Sequence, residues 1–560
     1  VILGEQLFMS NDIHRGRLFV GCIIALVATA FGFIVRALIL DDWRQQFNLS
    51  QEQIGFISGA GLFPFAISII LFSLIVDKIG YGVSMGFAFL GHLLSAVVTI
   101  LAGSASDPDT AFQMLYFGSF VCALANGIVE AVINPVTATM YDQNKTHYLN
   151  ILHAGWPLGL VLGGLLTIGF VLVPAGSLPQ FTFGLGSWNV QLNTEWQWKV
   201  ALLLIPTLLY GLLLAGQRFP VQERVAAGVS FRDMLREFGA GSCFIVAFLL
   251  VCGLFQVLKV TGFETIDWFG QQISDELEPL AIASIVAAAA ALLFLIVYHS
   301  FGRPMFVFLL LIMLLLATTE LGTDGWISDI MKDVLKQENS TFNYGALVLI
   351  YTSFIMFVLR FFAGPIVHRI SPLGLLAVSA AVACIGLLLL SSVGTIPVLV
   401  FIAATIYGFG KTFFWPTTLG VVSEQFPRGG ALMLNAIAGV GMIGVGVLGA
   451  PLIGTVQDQT IDAGLLSKAP EVRSEIVKPE KGLLGEVMVV DQNELRALPE
   501  KQRDTAEEVI AEERQGTLAK IAVLPGIMFL CYLLLIGYFR LKGGYKTQAI
   551  SHEEESPSEY

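Results

Sequence analysis

Apolar stretches of about 20 residues, separated by short polar or charged segments, recur along most of the chain. A stretch of that length, wound as a helix, crosses a hydrocarbon layer of roughly 30 Å with its backbone groups satisfied internally. Fourteen can be read: six up to about Gly216, a pair at about 240–260 and 278–299, and six more from about 304. The pattern predicts an all-α membrane protein made of two six-helix bundles, 1–217 and 304–560, with a basic connector and an inserted helix pair over 218–303. A polar segment at about 457–517 interrupts the second bundle between its last two spans. Within it, the run 498–514 is rich in Glu, Ala, Arg and Lys and reads as a solvated helix, either a passive extracytoplasmic cap or a docking surface.

Composition requires a lipid partner. Of 560 residues, 55% are hydrophobic and 13% charged, with mean hydropathy +0.75, a balance that no water-facing globular surface carries. The six cysteines fall in or beside apolar stretches, so no disulfide framework is implied. The net charge is −12, and the segment 457–517 supplies −6 of it through 14 acids and 8 bases, which argues against a nucleic-acid partner. Bases gather in alternate loops: Arg15 and Arg17, Lys78, Lys145, the group from Arg218 to Arg236, Arg303, Arg369, Arg428 and Arg540. Positively charged loops stay in the cytoplasm, so both ends are expected there, in a plasma membrane of the bacterial inner-membrane kind. The apolar segment before Asn11 is shorter than a signal peptide.

The two bundles repeat one another. The fourth span reads Asn126-Gly127-Ile-Val-Glu130-Ala-Val-Ile-Asn134-Pro135-Val-Thr137, and the tenth, not counting the inserted pair, reads Tyr407-Gly408-Phe-Gly-Lys411-Thr-Phe-Phe-Trp415-Pro416-Thr-Thr418. Leu149-Asn150 and Gly159 recur as Leu434-Asn435 and Gly444, and Ile75-Val76-Asp77-Lys78-Ile79 recurs as Ile366-Val367-His368-Arg369-Ile370. Matches in the same order at nearly constant offset indicate a parallel duplication of six helices. The Asp77-Lys78-Ile-Gly80 loop resembles the major facilitator signature that follows the second helix. Gly127-x-x-Glu130-x-x-x-Asn134-Pro135 followed by Leu149-Asn150 resembles the fucose/glucose-galactose proton symporter family. The resemblance implies a major facilitator fold, alternating access and a sugar carried with H+. Members of that family carry a proton-binding Asp in the first helix, where this chain has Arg36-Ala37, which leaves the coupling ion open.

Ionisable and amide side chains inside spanning helices are the candidate site, because each costs roughly 2.5–3.5 kcal/mol to insert unless it faces a cavity or a partner. Asn126, Glu130 and Asn134 recur every fourth residue and so share a helix face; Tyr407, Lys411 and Trp415 form the matching stripe. The seventh helix adds Glu320, Asp324 and Trp326, two acids one turn apart that would titrate as a pair if both were buried, or would sit at the outer mouth. Arg36 either pairs with Glu130 or a substrate anion, or snorkels to the outer surface. Trp156, Trp326 and Trp415, with Asn126, Asn134, Asn150 and Asn435, suit a polyol. His153 and Arg360 complete the polar set, each with a purely structural alternative. Asp77, Lys78 and Arg369 occupy matching loops, where a charge relay could latch one state, or where they simply make turns.

Three functions fit. The first is a secondary transporter that imports a sugar or similar small polar solute with protons; the second is a proton-coupled exporter, as fourteen-helix facilitators include; the third is a non-transporting sensor. An enzyme is disfavoured by the lack of a metal cluster, nucleophile–base pair or phosphate-binding loop in the sequence, and no cofactor or metal is implied. The expected working unit is a monomer.

Overall fold

The computed structural model describes residues 14–170, 177–185, 188–260, 267–268, 271–272, 279–335, 344–482 and 485–550. The chain is predominantly helical, and among the described residues thirteen helices are long and apolar enough to cross a membrane: α1 (Arg15–Phe47), α2 (Gln53–Ile79), α3 (Tyr81–Ser104), α4 (Pro108–Met140), α5 (Asp142–Gly169), α6 (Glu195–Leu214), α7 (Phe231–Gln256), α8 (Leu280–Tyr298), α9 (Pro304–Ser328), α11 (Ala363–Leu390), α12 (Pro397–Gln425), α13 (Pro427–Lys468) and α14 (Glu500–Leu541). A shorter apolar helix, α10 (Gly345–Arg360), completes fourteen.

In the first half, α4 packs on α2 and α3, and α1 on α5 and α6; in the second, α11 packs on α12 and α14. The halves meet along α2 against α13 and α5 against α10. Small residues set how closely these helices approach, since lipid tails supply no hydrophobic drive between them. A Cβ at Gly127 of α4 would stand 2.3 Å from the Phe65 carbonyl oxygen of α2, so only glycine permits that crossing. Burial separates inner from outer helices: 72% of the apolar window of α4 is buried but only 11% of that of α8, whose Leu292, Leu293 and Ile296 face outward. The inserted α7 and α8 pack on each other, and α7 alone lies against α13.

Arg17, at the start of α1, donates to the carbonyls of Leu212, Leu213 and Ala215 at the end of α6. The face of the molecule that carries these ends and the 543–548 tail is called the terminal side here. The turns after α2 and within α11 repeat one another in backbone form: Gly80 has φ +85° and its counterpart Ser371 has φ +65°.

On the opposite side, the polar segment 457–517 is folded into a small layer of its own. The helix Pro470–Ile476, the antiparallel hairpin Val477–Gly482/Gly485–Val490 and the helix Gln492–Ala497 lie between extensions of α13 and α14. Ile461, Leu465, Val472, Ile476, Leu495, Ala506, Val509 and Ile510 form a small core there. Arg473 clamps Asp462 through two hydrogen bonds of 2.7 and 3.2 Å, and Lys468 bridges Glu512 and Glu513. The helix expected over 498–514 is present as Glu500–Ile521, with one face packed on this core and the other in solvent. An alternation of acids with Ala506, Val509 and Ile510 produces these two faces, and the helix leads through a single turn residue, Ala522, into the last span.

Candidate functional site

Two π turns bend the helices that surround the polar centre, Thr318–Gly322 in α9 and Val445–Gly449 in α13. Such turns insert a residue into the helical ladder and re-aim side chains. They touch each other: a Cβ on Gly449 would lie 2.4 Å from the Thr318 hydroxyl. The first turn directs Glu320 inward, where Arg360 of α10 meets it at 3.0 Å with both side chains almost fully buried. Arg360 also donates to the Thr412 carbonyl at 2.9 Å and to the His153 carbonyl across the divide in α5. The other Glu320 oxygen accepts from the Trp415 backbone N–H at 3.3 Å.

On the first half, the Asn134 amide donates to the Glu130 carboxylate at 2.8 Å, and its oxygen lies 2.8 Å from His153 Nε2, which fits a tautomer with the proton on that nitrogen. Glu130, His153, Trp156, Glu320, Arg360, Trp415 and Met442 together line a cavity of about 20 Å³, room for a single water. The centre as a whole holds three buried carboxylates, Glu130, Glu320 and Asp324, and two buried cations, Arg360 and Lys411. Glu320 is paired with Arg360 and Asp324 with Lys411. Among the described residues Glu130 has no ion pair.

Several sequence expectations change here. Lys411 pairs with Asp324 inside the second half, with its ammonium 5.2 Å from the Tyr407 ring centre, while the Tyr407 hydroxyl donates to the Thr319 carbonyl at 2.6 Å. Glu320 and Asp324 are both buried rather than at an outer mouth, and each has its own cation beside it, Arg360 and Lys411. Asn126 turns away from Glu130 into its own half and bonds His92 at 2.8 Å, which in turn bonds Tyr210 at 2.9 Å. Trp326 packs over Gly454 of α13, apart from the centre. Arg36 lies beside Gly61 at the break in α2 and, among the described residues, pairs with no acid. In each case helix rotation decides, since a shared face does not say which neighbour it meets.

Asn150 and Asn435, one motif in the two halves, make related contacts. Asn150 of α5 donates to the Thr417 hydroxyl of α12 at 3.2 Å, and Asn435 of α13 to the Ala131 carbonyl of α4 at 2.9 Å. Each bonds the other half.

Below the centre, on the terminal side, the halves are tied together. Lys145 bonds Glu223 of the connector at 2.5 Å and the Ser423 carbonyl at 3.3 Å, and the Thr146 hydroxyl donates to Glu424 at 2.5 Å. Glu424 also accepts from the Tyr545 hydroxyl at 2.8 Å; burial first, then the neighbouring carboxylate, pushes that phenol well above its ordinary pKa, so it stays a donor. Asp77 is held by Arg224 of the connector at 2.5 Å, Lys78 lies over the Phe231 ring, and Arg369 is exposed with no ion pair among the described residues. The matching loops are thus used differently. Sequence reading missed His92, although a titratable residue in an apolar span met its own criterion, and it missed Glu424, Arg224 and Glu223, which carry no motif.

The sequence profile described as Major Facilitator Superfamily matches residues 19–327. No curated protein sequence matches the chain. Among solved structures, the proton:xylose symporter XylE bound to 6-bromo-6-deoxy-D-glucose is similar at 14% identity and TM-score 0.53, covering 78% of this chain and 88% of that one. The Escherichia coli fucose:proton symporter FucP is similar at 14% and 0.51, covering 91% and 98%. A bacterial homologue of the human lysosomal transporter Spinster, inward-facing, is similar at 14% and 0.54, covering 95% and 98%. With a profile match over more than half its length and this fold, the chain belongs to the major facilitator superfamily, a superfamily of membrane transporters.

Proposed function

We propose that the protein is a proton-coupled secondary transporter that carries a small polar solute by alternating access, with Glu130 as the coupling carboxylate. The observation that carries this is the charge count, three buried carboxylates to two buried cations, with Glu130 left over. An uncompensated charge in a membrane interior is costly, and a proton on Glu130 removes it. Asn134 then links Glu130 to His153, whose carbonyl is held by Arg360, so the proton site is joined to the contact between the halves.

The terminal side, which holds Arg15, Arg17, Lys145 and Arg224, is the cytoplasmic side by the positive-inside rule, so this state is shut toward the cytoplasm. Trp156 and Trp415 offer flat faces beside the carboxylates, which suits a sugar or similar polyol. Two fold neighbours, symporters of protons with xylose and with fucose, are in keeping with that reading. The polar centre is built by one chain, so a monomer in a plasma membrane suffices, and H+ is the only coupling species the reading needs.

The test is uptake of radiolabelled sugars into proteoliposomes, with and without an inward proton gradient, for wild type and Glu130→Gln. Gradient-stimulated uptake that is lost in the variant is expected. Uptake indifferent to both gradient and variant would overturn proton coupling through Glu130, and gradient-driven efflux in place of uptake would make the protein an exporter.

A further inference from the structure

Next to the polar centre, on the side away from the termini, lies a second and larger cavity of about 290 Å³. Its walls are mostly apolar, with Phe56 and Phe63 from α2, Phe120 and Leu124 from α4 and Met442 from α13, and Tyr116 of α4 adds a phenol. Gln256 of the inserted α7 also faces it, but its amide is already spent on the Val447 carbonyl at 2.9 Å. Met442 lines both cavities, so the apolar space begins where the polar centre ends. The polar centre itself has room for one water, whereas the apolar cavity approaches the size of an ordinary ligand pocket.

Resting on the transport reading above, we infer that the solute is amphipathic, with a small polar head in the Glu130–His153–Arg360 centre and an apolar body in the cavity between α2, α4, α7 and α13. A bare sugar would leave the larger space unfilled by anything matched to it. An apolar body fills it at a gain of about 0.8 kcal/mol per methylene, which is close to fourfold in affinity for each. The inserted pair gains a role as well. Phe63 packs so closely on α7 that a Cβ at Gly253 would stand 2.2 Å from its ring, so α7 closes the cavity's flank.

The test is binding of paired probes to the purified protein in nanodiscs, followed by tryptophan fluorescence. Methyl and hexyl β-glucoside, methyl- and hexylammonium, and acetate and heptanoate share three heads at two chain lengths. Gly59→Leu and Gly446→Leu fill the cavity from α2 and α13, at positions where an added Cβ meets nothing within 4 Å. For at least one head, the longer member is expected to bind at least a hundredfold tighter than its short partner, and both variants should reduce that ratio below tenfold while leaving the short member's affinity unchanged.

A chain-length gain that persists in both variants would place the tail in the bilayer and overturn the inference, as would binding of short members with no gain in wild type, or no binding of any longer member. None of these outcomes depends on Glu130 or a gradient. Failure of proton coupling is read separately in the uptake experiment.

Discussion

At the scale of single residues, Arg360 concentrates more of the fold than any other side chain in the centre. Its guanidinium is 1% exposed and reaches Glu320, the Thr412 carbonyl and the His153 carbonyl. Removing one partner of a buried pair leaves the other charge uncompensated, which costs about 3–5 kcal/mol, whereas removing both charges costs much less. Arg360→Met should therefore lower the Tm in detergent strongly, and Glu320→Gln/Arg360→Met should recover part of the loss; a double variant no more stable than the single one would mean that the carbonyl contacts, not the ion pair, carry the stability. Ser371 offers the opposite sign. At φ +65° and ψ +163° it occupies a backbone region nearly reserved for glycine, and its counterpart in the first half, Gly80, is a glycine. Ser371→Gly is expected to stabilise by about 1 kcal/mol, read as a raised Tm, and an unchanged or lowered Tm would show that the Ser371 hydroxyl bond to the Gly374 N–H offsets the strain.

At the scale of elements, the π turns hold the centre's geometry. They meet at Gly449 and Thr318, and each re-aims the helix beyond it. Gly449→Ala puts a methyl 2.4 Å from the Thr318 hydroxyl, so the turns must part and Glu320 must shift with them. Uptake should fall at least tenfold in that variant and recover in part in Gly449→Ala/Thr318→Ala, because the offending atom is then gone; equal loss in both would place the fault elsewhere in α13. These turns were not legible beforehand, since an extra residue in a helical ladder leaves no mark in a hydrophobic pattern. What was legible had a physical reason to be: fourteen apolar stretches, because the span length is set by the membrane. The polar positions were legible on the same ground, and of those singled out Glu130, His153, Trp156, Glu320, Arg360 and Trp415 line one cavity. Partner choice was not. Lys411 took Asp324 and Asn126 took His92 because each helix's rotation is fixed by its neighbours' shapes, which one helix's periodicity does not contain.

At the scale of the whole molecule, the duplication is broken where the halves are tied together. The first-half loop residue Asp77 holds Arg224, and Lys145 holds Glu223, so both grip the connector, which belongs to neither bundle. In the matching loop of the second half, His368 stands where the first half has Asp77, and Arg369, the counterpart of Lys78, is exposed. Closure on the terminal side thus depends on one half's loops, the connector and Glu424, and not on two equivalent latches. Both Asp77 and Arg224 are largely buried, so losing the carboxylate leaves a buried guanidinium short of a partner and weakens that closure, whereas losing an exposed cation with no ion pair changes little. The measurement is the distance distribution between spin labels placed at the exposed Gln143 and His368, one on each half, after the six native cysteines are replaced by serine. Asp77→Asn should shift the distribution toward longer distances, and Arg369→Ala should leave it where it was. Equal shifts in both would restore the symmetric latch that the repeat suggests, and no shift in Asp77→Asn would assign the closure to Glu424 and its bonds to Thr146 and Tyr545.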